Sequence, residues 1–311
     1  MDFNGLFLNI ITGLQLGAIF ALIALGLTLI FGTLGVVNFA HGALYMLAAY
    51  IGIVVSQYLG FTAALFIVPL LLFGVGIVME RGLMRHFYDR PHTDQILVTF
   101  GLAIVVEEIM KWYFGANATP FALPSWGSGS TIFYGLGAMV PEAIPGIRIP
   151  VPGIDGFVFY QTWRLVLIAV TLVVVFALFA MLRFTKFGLV VRAGMRDPDM
   201  LRFLGVNITQ RFSLVFGIGA LIAGIAGVFH GPVTAVSPVL GMSFLVPSFL
   251  VVVIGGMGSL VGALLAAILL GMALSFSAPY GPIQQIIVYV IAVVVLLVRP
   301  RGLLGQKGVF E

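Results

Sequence analysis

The chain contains no cysteine, which removes disulfides, thiolate nucleophiles and cysteine-ligated metals together. Charge is scarce as well: 8% of the 311 residues are Asp, Glu, Lys or Arg, against about a quarter in a soluble domain. So few charges cannot clothe a folded surface in water, which excludes a soluble globule. No G-x-x-x-x-G-K-[ST] stretch occurs, so the chain carries no phosphate loop with which to hydrolyse ATP. No nucleophile–base arrangement appears. His41, His86, His92 and His230 lack zinc-like spacing, apart from His86 and His92 in one basic loop. The net charge of +4 does not point to nucleic acid, because the basic residues cluster at the ends of apolar runs. The N-terminus lacks the basic region and cleavage site of a signal peptide and reads as a retained first helix.

Hydrocarbon fills the space that charge leaves: 61% of residues are hydrophobic. The apolar runs are unbroken, whereas a membrane barrel would alternate, so the expected class is all-α, a polytopic helical membrane protein. Candidate segments are 5–31, 39–58, 61–79, 95–114, 163–182, 212–229, 244–254, 259–276 and 283–298. That makes about eight to nine, within one domain covering 1–311. Twelve of the 15 basic residues fall in three places, namely 81–90, 183–211 and 299–307. Basic loops stay on the cytoplasmic side, so these three are expected inside. The N-terminus and the connection 115–162 are expected outside. That orientation requires an even number of passes between Gly231 and the last segment. The run 244–254 gives only about 16 Å of helix against roughly 30 Å of hydrocarbon. A re-entrant or broken element is therefore expected, turning at Gly255-Gly256-Met257-Gly258-Ser259.

Small residues four apart (Gly13, Gly17, Ala21; Gly219, Ala223, Gly227; Ala263, Ala267, Gly271) suit close helix packing. Trp126, Phe133, Tyr134, Phe157, Phe159, Tyr160 and Trp163 suit an interfacial aromatic layer. Ile147–Val151 and Phe157–Tyr160 around a turn-prone stretch suggest a hairpin. Within the basic loop 183–211, DPDMLRFLG reads as a complete two-turn helix. Asp197 is the N-cap, Pro198 the first position, Asp199 and Arg202 match the dipole, and Gly205 ends it. It presents Met200, Leu201, Phe203 and Leu204. Two turns are not stable alone, so either lipid or a cytoplasmic partner must hold them.

Arg192-Ala193, followed by DPDMLRFLGVN, resembles the coupling loop of branched-chain amino-acid permeases of ABC importers. VNFAHG after the first segment, GGMGS with Gly262, and the tail RPRGLLG at 299–305 agree with that family in order along the whole chain. The classical importer coupling motif begins Glu-Ala-Ala, and Arg192-Ala193-Gly194 stands in its place here. The resemblance implies a bacterial inner-membrane assembly. A second related permease completes the path, two ATPase subunits bind ATP and Mg, and a periplasmic protein delivers the solute. It also implies that the short helix docks on an ATPase, with Arg192, Ala193, Asp197, Asp199, Met200, Leu201, Arg202, Gly205 and Asn207 as coupling residues.

In VVNFAHG, Asn38 and His41 are three apart and share a helix face near its start, where free N–H groups suit a carboxylate. They either contact the solute or cap and pack the second helix. Asn38, His41, Gly42, Gly255, Gly256, Gly258 and Ser259 are the candidate path residues. Glu107 and Lys111 are spaced as a structural pair. Glu80 beside Arg81 reads as a boundary pair and His230 as an interfacial residue. The expected function is a permease subunit moving branched-chain amino acids, or another amino acid, urea, an amide or a small organic acid. The alternative is a secondary transporter or channel that needs no ATPase.

Overall fold

The structure is a computed structural model that describes residues 2–138, 146–194, 198–203, 205 and 207–305. Among these residues six helices are long and apolar enough to cross a membrane. They are α1 (Phe3–Leu34), α2 (Ala40–Leu59), α3 (Phe61–Gly82), α5 (Thr162–Phe184), α8 (Ile208–His230) and α10 (Leu260–Ser277). Helix α4 (His92–Phe114) is as long but carries Glu107, Glu108 and Lys111. Lys111 pairs with Glu107 at 2.8 Å, as the spacing predicts, and also with Glu108 at 2.7 Å. Two shorter apolar helices, α9 (Leu240–Gly255) and α11 (Ile283–Val298), complete the set.

Helix α1 is the centre. It is apolar all round, and residues 18–30 are almost wholly buried, as befits a helix enclosed by others. It packs along α10 through the small residues that the sequence spaces four apart. A Cβ on Gly271 would lie 2.3 Å from the Gly17 nitrogen, and one on Gly17 would lie 3.0 Å from the Ala267 carbonyl oxygen. The Ser275 hydroxyl donates to the Asn9 carbonyl across the same seam, 2.7 Å away. Helix α8 fills the other side. Gly219 meets Gly26 and Ile30 of α1, while Gly227 meets Tyr45 and Ala48 of α2. The outward faces carry Phe66, Leu70, Val173, Phe176 and Leu297, an apolar exterior that suits a lipid or protein surrounding more than water.

Several expectations change. The 244–254 segment is really the 16-residue α9, about 24 Å long. It remains short of a full crossing, and the chain before it is a 3₁₀ turn and irregular backbone. That backbone is satisfied internally: Thr119 and Val236 exchange two hydrogen bonds, of 2.7 and 3.1 Å. Buried irregular chain at depth is tolerated on those terms. The two extended stretches at 147–160 do not form a hairpin. Strands β2 (Gly146–Pro150) and β3 (Phe157–Gln161) both pair with β1 (Ser130–Tyr134), parallel and antiparallel respectively. Trp163 is no interfacial anchor. It is fully buried, and its indole N–H donates to the Phe229 carbonyl at 2.8 Å.

Candidate functional site

The first break in the helices runs from Gly35 to Phe39. Gly35 ends α1 in the left-handed conformation (φ 65°), its N–H donating to the Phe31 carbonyl. Asn38 accepts the Ala40 N–H through Oδ1 at 3.0 Å, so it caps α2. Thr99 of α4 accepts the Phe39 N–H at 3.0 Å while donating to the Gln95 carbonyl. The Phe39, Ala40 and His41 N–H groups are thus spent on protein, whereas the buried Asn38 Nδ2 has no hydrogen-bond partner. The His41 ring lies between α1 and α8, where a Cβ on Gly26 would stand 2.6 Å from its Cε1. The Ile23 carbonyl faces this ring, yet neither ring nitrogen has hydrogen-bond geometry to any group. Gly42 and Gly241 press backbone on backbone, since a Cβ on Gly42 would lie 2.5 Å from the Gly241 oxygen.

The second break joins α9 to α10. Gly256 and Gly258 both take positive φ, 101° and 87°. The Ser259 hydroxyl accepts the Gly262 N–H at 3.1 Å and so caps α10. Gly255 and Gly262 touch through backbone, a Cβ on Gly262 falling 1.9 Å from the Gly255 oxygen. The tail closes over this turn. Leu303 and Leu304 donate N–H groups to the Ile254 and Gly255 carbonyls at 2.7 and 3.1 Å, and Gly302 (φ 80°) lies against Gly256. The GGMGS and RPRGLLG stretches are therefore one interlocked joint.

A cavity of about 570 Å³ opens where this joint meets the turn between α5 and the short helix α6 (Lys186–Gly194). Its walls include Thr28 and Thr33 of α1, Phe179 and Arg183 of α5, Arg192 of α6, and the Gly258-Ser259 break. Among the described residues, two guanidinium groups and three hydroxyls line an otherwise apolar space with no carboxylate in its wall. The Thr28 hydroxyl is buried without a hydrogen-bond partner, whereas Thr33 bonds its own helix. Of the predicted path residues, Gly258 and Ser259 line the cavity. Asn38, His41, Gly42, Gly255 and Gly256 do not: their surroundings are capping and helix-to-helix contact. Gly258 nevertheless lies beside Gly32 of α1, so both breaks sit at one end of the bundle.

The segment whose sequence resembles a coupling loop supplies the wall residue Arg192, which donates to the Leu182 carbonyl at the end of α5. Helix α7 (Pro198–Phe203) follows, and Gly205 adopts the predicted left-handed φ, at 75°. The expected presentation of Leu201 is wrong, because that side chain is buried against Gly194 of α6. Met200 and Phe203 are exposed, Phe203 at 88%. Asn207 caps α8 by accepting the Gln210 N–H at 3.1 Å. Ala193 lies within α6. Asp197 and the side chains of Asp199 and Arg202 lie outside the described residues.

A model of the family described as branched-chain amino acid transport system / permease component matches residues 9–299. This chain belongs to that family. The permease is 28% identical to LivH of Escherichia coli K12, covering 96% of this chain and 94% of the relative. It is 28% identical to BraD of Pseudomonas aeruginosa, covering 97% and 96%. Both are named as high-affinity branched-chain amino acid transport system permease proteins. A ribose import permease protein of Escherichia coli, RbsC, matches at 24% identity over 92% and 85%. No solved structure matches.

Two clusters in this permease escaped the sequence reading. Glu80 does not pair with Arg81. Its carboxylate is fully buried and receives Arg85 (3.1 Å), Tyr88 (2.9 Å) and Ser213 (2.5 Å). Burial first, then the Glu80 charge, raises the Tyr88 hydroxyl well above the ordinary tyrosine value, so it stays a donor. His230 is not interfacial but buried at the end of α8, hydrogen-bonded to Tyr45 of α2 and edge-on to Phe244 of α9. A glutamate at the end of an apolar run was the available signal for the first cluster. Ser213, 133 positions away, was not foreseeable.

Proposed function

We infer that this permease is the membrane subunit of an ATP-driven importer that carries branched-chain amino acids into the cytoplasm. A second related permease completes the path, two ATPase subunits hold ATP and Mg, and a periplasmic binding protein delivers the solute. The basic segments face the cytoplasm of an inner membrane, with the N-terminus outside. The observation that carries this reading is the packing of α7 on α6, with Leu201 against Gly194, while α6 contributes Arg192 to the cavity wall. An exposed apolar tip, Phe203, belongs to the same segment that contributes Arg192 to the cavity wall. An exposed aromatic at the end of a short helix is suited to a protein groove. Movement of α7 by an ATPase would move a wall of the solute space directly.

The solute class draws support from Arg183 and Arg192, which favour a carboxylate, and from the surrounding Phe179, Leu182 and Leu260, which favour an aliphatic side chain. A relative at 24% identity is named for ribose import, and a sugar gives two guanidinium groups no charge to meet.

Two substitutions test the docking role. Phe203→Asp is expected to leave membrane level and thermal stability unchanged and to abolish co-purification of the ATPase subunits. Leu201→Asp is expected to act differently, lowering stability because it buries a carboxylate against Gly194. Wild-type capture of ATPase by Phe203→Asp would sink the docking role.

A further inference from the structure

The buried Glu80 cluster lies between the coupling segment and the helices that meet the first break. Gly194 of α6 sits between Leu201 of α7 and Phe212 of α8, since a Cβ there would be 3.4 Å from one and 4.0 Å from the other. Phe212 meets Tyr88 edge-on, ring centroids 6.2 Å apart. Tyr88 donates to Glu80 Oε1, and the adjoining Ser213 donates to Oε2. Arg85 spans both oxygens, through Nε at 3.3 Å and Nη2 at 3.1 Å, and its Nη2 also donates to Ser213 Oγ. Neighbouring residues thus lead from the α7 face to the end of α3, with room for a methyl group at Gly194.

Beyond the carboxylate, α3 and α8 are locked. A Cβ on Gly76 would lie 2.5 Å from the Ala220 Cβ, and one on Gly224 would lie 2.9 Å from the Pro69 Cα. Such a pair has no side-chain slack and moves as one body. Farther along, α8 carries Gly219 against Gly26, beside the His41 ring, and Gly227 against Tyr45. A displacement delivered to the start of α8 therefore reaches the first helix break.

We propose that Glu80 is the joint through which the coupling segment drives the α3–α8 pair. It is a positioning residue for transport that acts through Tyr88, Arg85 and Ser213 and not on the solute. The proposal rests on the ATP-driven reading above. A buried ion pair that only stabilised the fold would be a poor use of a carboxylate, because an apolar replacement commonly stabilises as well. Directional, charge-assisted hydrogen bonds to Glu80 instead tie the turn after α3, through Arg85 and Tyr88, to the start of α8, through Ser213, so that a push on either is delivered to both.

The test separates coupling from folding. The full assembly of both permeases, the ATPase subunits and the binding protein is placed in liposomes, and leucine uptake and ATP hydrolysis are measured together. Tyr88→Phe keeps the ring against Phe212 and removes one donor; Ser213→Ala removes the other. Each is expected to leave ATPase capture and hydrolysis within about twofold of wild type and to lower uptake per ATP by roughly tenfold, the weight of one hydrogen bond to a charged group. Glu80→Gln is expected to lower it further, and the Tyr88→Phe/Ser213→Ala pair to be non-additive, as for one network. Unchanged uptake per ATP in Tyr88→Phe and Ser213→Ala overturns the proposal, even if Glu80→Gln fails to insert. Parallel loss of uptake, hydrolysis and capture overturns it too, since the cluster would then be structural. A wild-type chain that captures no ATPase sinks the ATP-driven reading and the joint with it.

Discussion

Gly271→Ala adds one methyl group at the tightest point of the α1–α10 seam. The new Cβ would stand 2.3 Å from the Gly17 nitrogen, 2.4 Å from the Gly13 oxygen and 2.7 Å from the Gly17 Cα. All three are backbone atoms of the central helix, so no side chain can rotate away. Ordinary contact begins near 3.4 Å, and the helices must part by about 1 Å at a seam packed to crystal-like density. Overpacking of this kind destabilises by about 1–3 kcal/mol, which is roughly 5- to 150-fold in the folding equilibrium. Gly74→Ala in α3 is the control, because a Cβ there meets nothing within 4 Å. The same methyl should be neutral or slightly stabilising in that helix, through the helix propensity of alanine. Thermal unfolding in detergent, followed by the monodisperse fraction in size-exclusion chromatography, compares the two. Equal behaviour of Gly271→Ala and Gly74→Ala would refute the packing explanation of the small-residue pattern.

Tyr45→Phe leaves the buried His230 Nδ1 without its partner and is expected to destabilise by about 1–3 kcal/mol, checked by the same thermal assay. Removal of both polar groups together, as Tyr45→Phe with His230→Leu, should recover part of that loss, and failure to recover any would argue against the pairing. Orientation is open to a clean thiol experiment because the chain has no cysteine of its own. Leu136→Cys, exposed in the loop beside β1, is expected to react with a membrane-impermeant reagent added to intact spheroplasts. Leu189→Cys, exposed on α6, is expected to react only after lysis. The reverse pattern would invert the topology.

The helical class, the small-residue seams, the Glu107–Lys111 pair, the break at 255–259 and the left-handed Gly205 were all legible. Each depends on spacing within one segment or on a backbone rule that a single residue type reveals. The rest depends on partners that are remote in the chain. Nothing local tells that the 299–305 tail closes on Gly255-Gly256, although both stretches are glycine-marked for the same backbone contact. Leu201 and Phe203 are both apolar on a two-turn helix, and only the position of Gly194 decides which is buried. For Asn38 and His41 the sequence leaves solute contact and capping both open, because a helix start has free donors. Thr99 of α4 and the Asn38 side chain take two of those donors, partners that no local pattern reveals. Of the cavity wall, Gly258 and Ser259 were legible as path residues, Arg192 stood out only as a coupling residue, and Thr28 and Thr33 gave no sign within an apolar run. The strand partners of β2 and β3 were misread because β1, which separates them, precedes both.

The central claim is that solute moves through this permease only when an ATPase drives the coupling segment. The direct measurement is leucine uptake into liposomes, with the binding protein outside and ATP available to the cytoplasmic face. The complete assembly is expected to accumulate leucine with ATP and not without it, and the chain alone is expected to accumulate none under a proton or sodium gradient. Gradient-driven accumulation by the chain alone would contradict the account.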